Sequence, residues 1–150
     1  MAVGVVLFCC AGCAGPGTLE VGPLAWSESG LLSWQHGETP ITAHFKLGGN
    51  SNEELALTLS KSESLLRIVR SGNDWSARGP LAGLDWMGPR EEAPLALAGW
   101  LTLVETLAYI QTAPDGVDAI VSGRVRARWD QTQADIITAE TSEQFRVVWQ

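Results

Sequence analysis

The sequence is poor in the residues that most catalytic and metal chemistry needs. Three cysteines occur in 150 residues, at positions 9, 10 and 13, and none beyond. The rest of the chain therefore has no disulfide framework, zinc knuckle or catalytic thiol. Histidine occurs twice, as His36 and His44, with no cysteine and no cluster of carboxylates beside either, so no metal site and no metal cofactor are expected. Gly-x-Ser-x-Gly, His-Glu-x-x-His, a P-loop and a dinucleotide fingerprint are all missing, and the expectation is a protein that is not an enzyme. Basic residues are also scarce: ten Lys and Arg against 17 Asp and Glu leave a net charge of −7. That balance argues against nucleic acid as a partner, and against electrostatic docking onto anionic lipid, which wants basic clusters. No apolar run reaches the roughly 20 residues of a spanning helix, and the longest carries Glu105 within it.

The chain opens with a short apolar stretch that ends in Cys10-Ala11-Gly12-Cys13. Its length suits the apolar core of a signal peptide, roughly 7–15 residues, better than a membrane span. Two small residues before a cysteine resemble the lipobox of bacterial lipoprotein signal peptides. The resemblance implies that residues 1–12 are a signal peptide and that Cys13 is lipidated. Residues 13–17 then form a tether to the membrane through the lipid anchor, on the periplasmic face of the outer membrane. A secreted protein whose signal is cut without lipidation near Ala14 or Gly15, and a cytosolic protein with a hydrophobic N-terminus, are the alternatives.

Residues 18–150 have the size of one domain, and 45% hydrophobic with 18% charged residues is a globular composition. Seven tryptophans against one tyrosine suit broad apolar surfaces. Short alternating segments with turn signals between them predict strands at 31–36, 41–47, 55–60, 65–70 and 75–78. In 41–47, Ile41, Ala43, Phe45 and Leu47 share a face opposite Thr42, His44 and Lys46. Residues 48–52, Gly-Gly-Asn-Ser-Asn, predict a turn or short loop. Residues 80–89 are apolar but irregular. The spacing predicts one helix over 94–111, with Glu91 and Glu92 at its N-terminus and a narrow polar stripe of Thr102, Glu105, Thr106 and Tyr109. So little polar surface requires cover on most sides. Strands resume as one long segment running through Val121, Gly123, Val125, Ala127 and Trp129, then 135–139 and 144–149. The opposite face of the long segment carries Arg124, Arg126 and Arg128, which either meet phosphate headgroups or a partner, or form a solvated face paired with acids. Strands, one buried helix, then strands predict a mainly β fold: a curved antiparallel sheet, or half-barrel, wrapping an apolar α-helix.

Leu32-Ser33-Trp34 with the strand 41–46, Pro94-Leu95-Ala96-Leu97-Ala98-Gly99-Trp100, and Phe145-Arg146-Val147-Val148-Trp149 resemble segments of the bacterial outer-membrane lipoprotein receptor LolB and its periplasmic carrier relative LolA. The resemblance implies an apolar cavity lined by Phe45, Leu57, Trp100, Leu103 and Val125, holding acyl chains of a lipid or an acylated lipoprotein cargo. At about 0.8 kcal/mol per buried methylene, such a cargo needs no specific polar contacts. The same five side chains equally fill a packed core. In that case the protein is a structural or assembly lipoprotein that binds a protein partner through a sheet edge or a Trp-rich face.

Overall fold

A computed structural model describes residues 19–38, 40–83, 85–113, 119–121, 125–139 and 141–150, with backbone alone at 119–121. The predicted leader 1–12, the whole tether 13–17 with Cys13, and Arg124 lie outside the described residues. Among the described residues, ten strands and one α-helix follow in the order β1 (Trp26–Gln35), β2 (Pro40–Gly49), β3 (Glu54–Ser60), β4 (Ser64–Ser71), β5 (Asp74–Arg78), β6 (Trp86–Pro89), α1 (Leu95–Thr112), β7 (Ala119–Val121), β8 (Val125–Trp129), β9 (Gln133–Thr138) and β10 (Gln144–Trp149). Short 3-10 turns at Pro80–Ala82 and Arg90–Glu92 flank β6.

All ten strands form one antiparallel sheet ordered β6-β5-β4-β3-β2-β1-β10-β9-β8-β7. Two meanders, β1 to β6 and β7 to β10, are joined where β1 pairs with β10 from Gly30↔Trp149 to Gln35↔Gln144. The helix links β6 to β7 in sequence, and these are the two edge strands. At about 1.5 Å per residue α1 is roughly 27 Å long, whereas ten flat strands would span roughly 43 Å. The sheet therefore bends both halves onto the helix. One cluster joins Leu47, Leu57, Ile68 and Trp75 of the first meander to Ala127, Ile136 and Val147 of the second, with Leu97, Trp100, Leu103 and Leu107 of α1 between them. The result is the expected curved antiparallel sheet around an apolar helix, open at β6 and β7 rather than closed into a barrel.

Residues 97–104 of α1 are all buried, so the helix is covered on every side over two turns. Even the polar stripe is mostly enclosed. Thr102 and Thr106 are buried, Thr106 donating its hydroxyl to the Thr102 carbonyl at 2.8 Å, while Tyr109 remains exposed. No helix among the described residues is long and apolar enough to cross a membrane.

Four local expectations need correction. Gly48 and Gly49 are the end of β2, not part of the turn. A Cβ at Gly49 would stand 2.7 Å from the Trp26 ring, and one at Gly48 would stand 2.6 Å from Leu24. Both glycines therefore serve close packing within the sheet. Second, the long segment predicted through Val121 and Trp129 is two strands: β7 and β8 pair antiparallel with Val121 opposite Val125, so the chain reverses between them. Val125, Ala127 and Trp129 do face the core together. Third, β1 begins five residues before its predicted start, because pairing of Trp26 with Gly49 through Gln35 with Pro40 compensates for a Ser-Glu-Ser-Gly run of weak strand formers. Fourth, residues 86–89 of the irregular stretch form an edge strand, with Pro89 at its end where a missing donor does no harm.

Candidate functional site

The five residues expected to line a cavity are brought together from four elements: Phe45 on β2, Leu57 on β3, Trp100 and Leu103 on α1, and Val125 on β8. Leu57 and Leu103 have 0% exposure, Trp100 has 1%, and Phe45 and Val125 have 2%. Surface facing an internal void wide enough for water would count as exposed, so these side chains touch only other protein atoms. Aromatic rings fill much of the space. Trp100 lies 5.0 Å from Trp34 and 5.1 Å from Phe145, centroid to centroid. The indole N–H groups of Trp100 and Trp129 are buried with no hydrogen-bond acceptor among the described residues. An unpaired buried donor is uncommon, because it loses its water and gains nothing in return.

Two polar straps border the helix, the first between β1 and the corner before β10, the second between the Arg90–Glu92 turn and α1 itself. In the first, Glu143 precedes β10 and is 3% exposed, and its Oε2 accepts the Trp34 indole N–H at 2.6 Å. The Thr138–Glu143 corner fixes that carboxylate: the Glu143 backbone N–H donates to Thr138 Oγ1 at 3.1 Å, and the Thr138 and Thr141 hydroxyls are 2.7 Å apart. A Cβ at Gly99 would stand 2.8 Å from Glu143 Cδ, so only glycine lets α1 close onto the carboxylate. In the second strap, Arg90 donates from Nε to Glu105 and from Nη2 to Thr102 Oγ1, the latter at 2.5 Å. Neither Glu143 nor Arg90 stood out in the sequence. Each acts across a long separation, Trp34 to Glu143 and Arg90 to Glu105, and no local spacing reveals such a pair.

The open end of the half-barrel, at the C-terminus of α1, is aromatic. Half-buried Trp149 stands on this rim with exposed Tyr109, which packs edge-on against Trp129 at 6.2 Å. A recess of about 200 Å³ opens here, between Glu28, Gln111, Trp129, Asp130 and Trp149. Asp130 shapes the neighbouring β8–β9 turn. The Thr132 hydroxyl and the backbone N–H groups of Thr132 and Gln133 donate to it and hold its carboxyl below the ordinary carboxylate range, with Arg128 helping by charge.

The sheet face turned away from α1 carries the remaining polar side chains. A groove of about 420 Å³ crosses it over Ser33, Gln35, Pro40, Ile137, Gln144 and Arg146. Arg146 donates to Asp135 at 2.8 Å, which raises its pKa above the ordinary arginine value. His44 stands exposed on this face, whereas His36 at the end of β1 stacks on Trp34. Among the described residues no three His, Cys, Asp or Glu side chains gather as a metal site.

No family model matches the chain, and no curated protein matches its sequence.

Proposed function

We propose that this protein is a membrane-tethered, non-catalytic binding domain, anchored through Cys13 on the periplasmic side of the outer membrane, that engages a protein partner at its aromatic rim. The observation that carries the reading is the zero exposure of Leu57 and Leu103. With no water-sized space beside them, binding falls to the surface. The rim offers Trp129 and Trp149 at a recess, with Tyr109 packed on Trp129, and large aromatic side chains of this kind dominate protein–protein hot spots.

Two measurements test it. Mass spectrometry of the mature N-terminus reads whether Cys13 carries acyl chains. Photo-crosslinking from Trp149 or Tyr109 in cells is expected to give discrete protein adducts that are missing when the probe sits at Lys61 in the β3–β4 turn. The absence of adducts from the rim would sink the partner reading.

A second reading, in which the domain shelters acyl chains, draws on the unpaired N–H groups of Trp100 and Trp129. The carbonyl of an ester- or amide-linked acyl chain is an acceptor for such a donor, once α1 swings away from the sheet. Saturable binding of a fluorescent fatty acid or an acylated peptide, weakened by Trp129→Phe, would favour this reading over the first.

A further inference from the structure

The net charge of −7 belongs to the whole chain, yet its charges are not mixed evenly over the fold. Strand alternation and register place Lys46 of β2, Arg67 of β4, Arg126 and Arg128 of β8, and Arg146 of β10 on the sheet face turned away from α1. All five are exposed. Within the paired strands, Asp135 is the acid that lies among them, and it is bonded to Arg146. Glu54 and Asp74 lie at one rim of the same face, and Arg78 on β5 is tied to Asp85. Asp130 in the β8–β9 turn also acts on Arg128 by charge, Glu20 lies in the segment before β1, and the other described acids occupy turns, the helix surroundings or the interior. An acidic protein thus presents a basic sheet face.

The densest part of that face covers β8, β9 and β10. Arg128 lies opposite Asp135, which lies opposite Arg146, while Arg126 lies opposite Ile137. Ile137 is 44% exposed, and Val148, two residues along from Arg146, is 39% exposed. Arg128 and Arg146, two strands apart, stand roughly 10 Å from one another with Asp135 between them, and Ile137 lies beside Arg126. A single acidic side chain meets one such cation. A surface of separate anionic headgroups above an apolar layer meets all three, and also takes up the isoleucine and the valine.

We infer that the outer sheet face, centred on Arg126, Arg128 and Arg146, docks on an anionic phospholipid surface, with Ile137 and Val148 entering the headgroup boundary. The inference uses the folded charges alone and does not rest on acylation of Cys13 or on a partner at the aromatic rim. It can therefore fail or succeed separately from the proposed function.

The test is sedimentation of the purified, unacylated full chain with vesicles of phosphatidylcholine alone and of an equimolar mixture with phosphatidylglycerol. Any insertion by the apolar N-terminal residues adds to both, so the readout is the ratio between them. The expected result is a clear preference for the anionic vesicles, shrinking as added salt shortens the screening length. The triple variant R126Q/R128Q/R146Q should lose on the order of a hundredfold of the anionic binding, and I137S/V148S a smaller factor in both low and high salt. These side chains are exposed, and far-UV circular dichroism checks that the variants keep the fold. Equal binding to both vesicles, or a preference that survives the triple variant, overturns the inference. Binding to a polyglutamate peptide without binding to vesicles overturns it in favour of an acidic protein.

Discussion

Phe45 of β2 and Trp149 of β10 meet edge to face with ring centroids 5.7 Å apart, across Gly30 of the strand that separates them. Gly30 pairs with both residues, and a Cβ there would stand 2.0 Å from the Val148 backbone oxygen and 2.9 Å from Phe45 Cε1. The aromatic contact that stitches the two meanders together therefore depends on a missing side chain. Gly30→Ala is expected to cost about 1–3 kcal/mol through overpacking, read as a lower midpoint of denaturant unfolding. A neutral substitution would show that β10 and the Phe45 ring both shift aside without penalty.

Gly99→Ala carries an unusual sign. Alanine inside a helix normally stabilises by about 0.5–1 kcal/mol over glycine. Here the methyl would collide with the Glu143 carboxyl, so destabilisation is expected, and thermal unfolding decides between the two signs.

Glu143→Ala removes the acceptor of the Trp34 indole N–H. The expected cost is about 1–3 kcal/mol for a buried donor left unpaired. Glu143→Gln, which keeps a carbonyl acceptor, should recover part of it. Equal losses in the two variants would mean that packing rather than the hydrogen bond holds this corner.

Arg90→Ala should loosen the helix without unfolding the sheet. Thr102 loses a donor and Glu105 loses its ion pair, for a loss of about 1–2 kcal/mol after allowing for the partial exposure of Glu105. Hydrogen exchange of α1 amides is expected to rise more than that of β1 and β2. A uniform rise would show that helix and sheet open only together.

Asp130 makes the β8–β9 turn sensitive to acid. Its folded pKa lies below its ordinary value, so the turn's stabilisation is full above about pH 4 and fades as the pH falls through the folded pKa. NMR shifts of Thr132 and Gln133 amides should follow that titration, and Asp130→Asn should abolish it. An unchanged titration in the variant would assign the effect to another group.

Much of this architecture is legible in the chain. Alternation in residues 41–47 and 55–60 marks β2 and β3 because one face is dry and the other wet, and the almost wholly apolar run 97–104 marks a helix covered on all sides. What escaped were features set by neighbours distant in sequence. Gly48 and Gly49 read as a turn, since glycine pairs usually make one, but the rings and methyls of Trp26 and Leu24 need their empty space. The β7–β8 reversal was hidden because apolar alternation runs straight through it. At the candidate site, the five apolar side chains lie on dry faces and belong to one core cluster, whereas Glu143 and Arg90 carry no local pattern that would reveal them.

The sequence by itself determined the inventory: alternating strands, one apolar helix, a cysteine-free body and an excess of acid. Each of these follows from local periodicity or composition. Only the tertiary structure decided that β1 joins β10, because that pairing depends on two segments more than a hundred residues apart finding a common register. From that junction come the meeting of Phe45 with Trp149, the sealed space around Leu57 and Leu103, and the gathering of Arg126, Arg128 and Arg146 with Lys46 on one face. Burial and charge distribution are properties of surfaces, and the surfaces exist only once the strands are ordered.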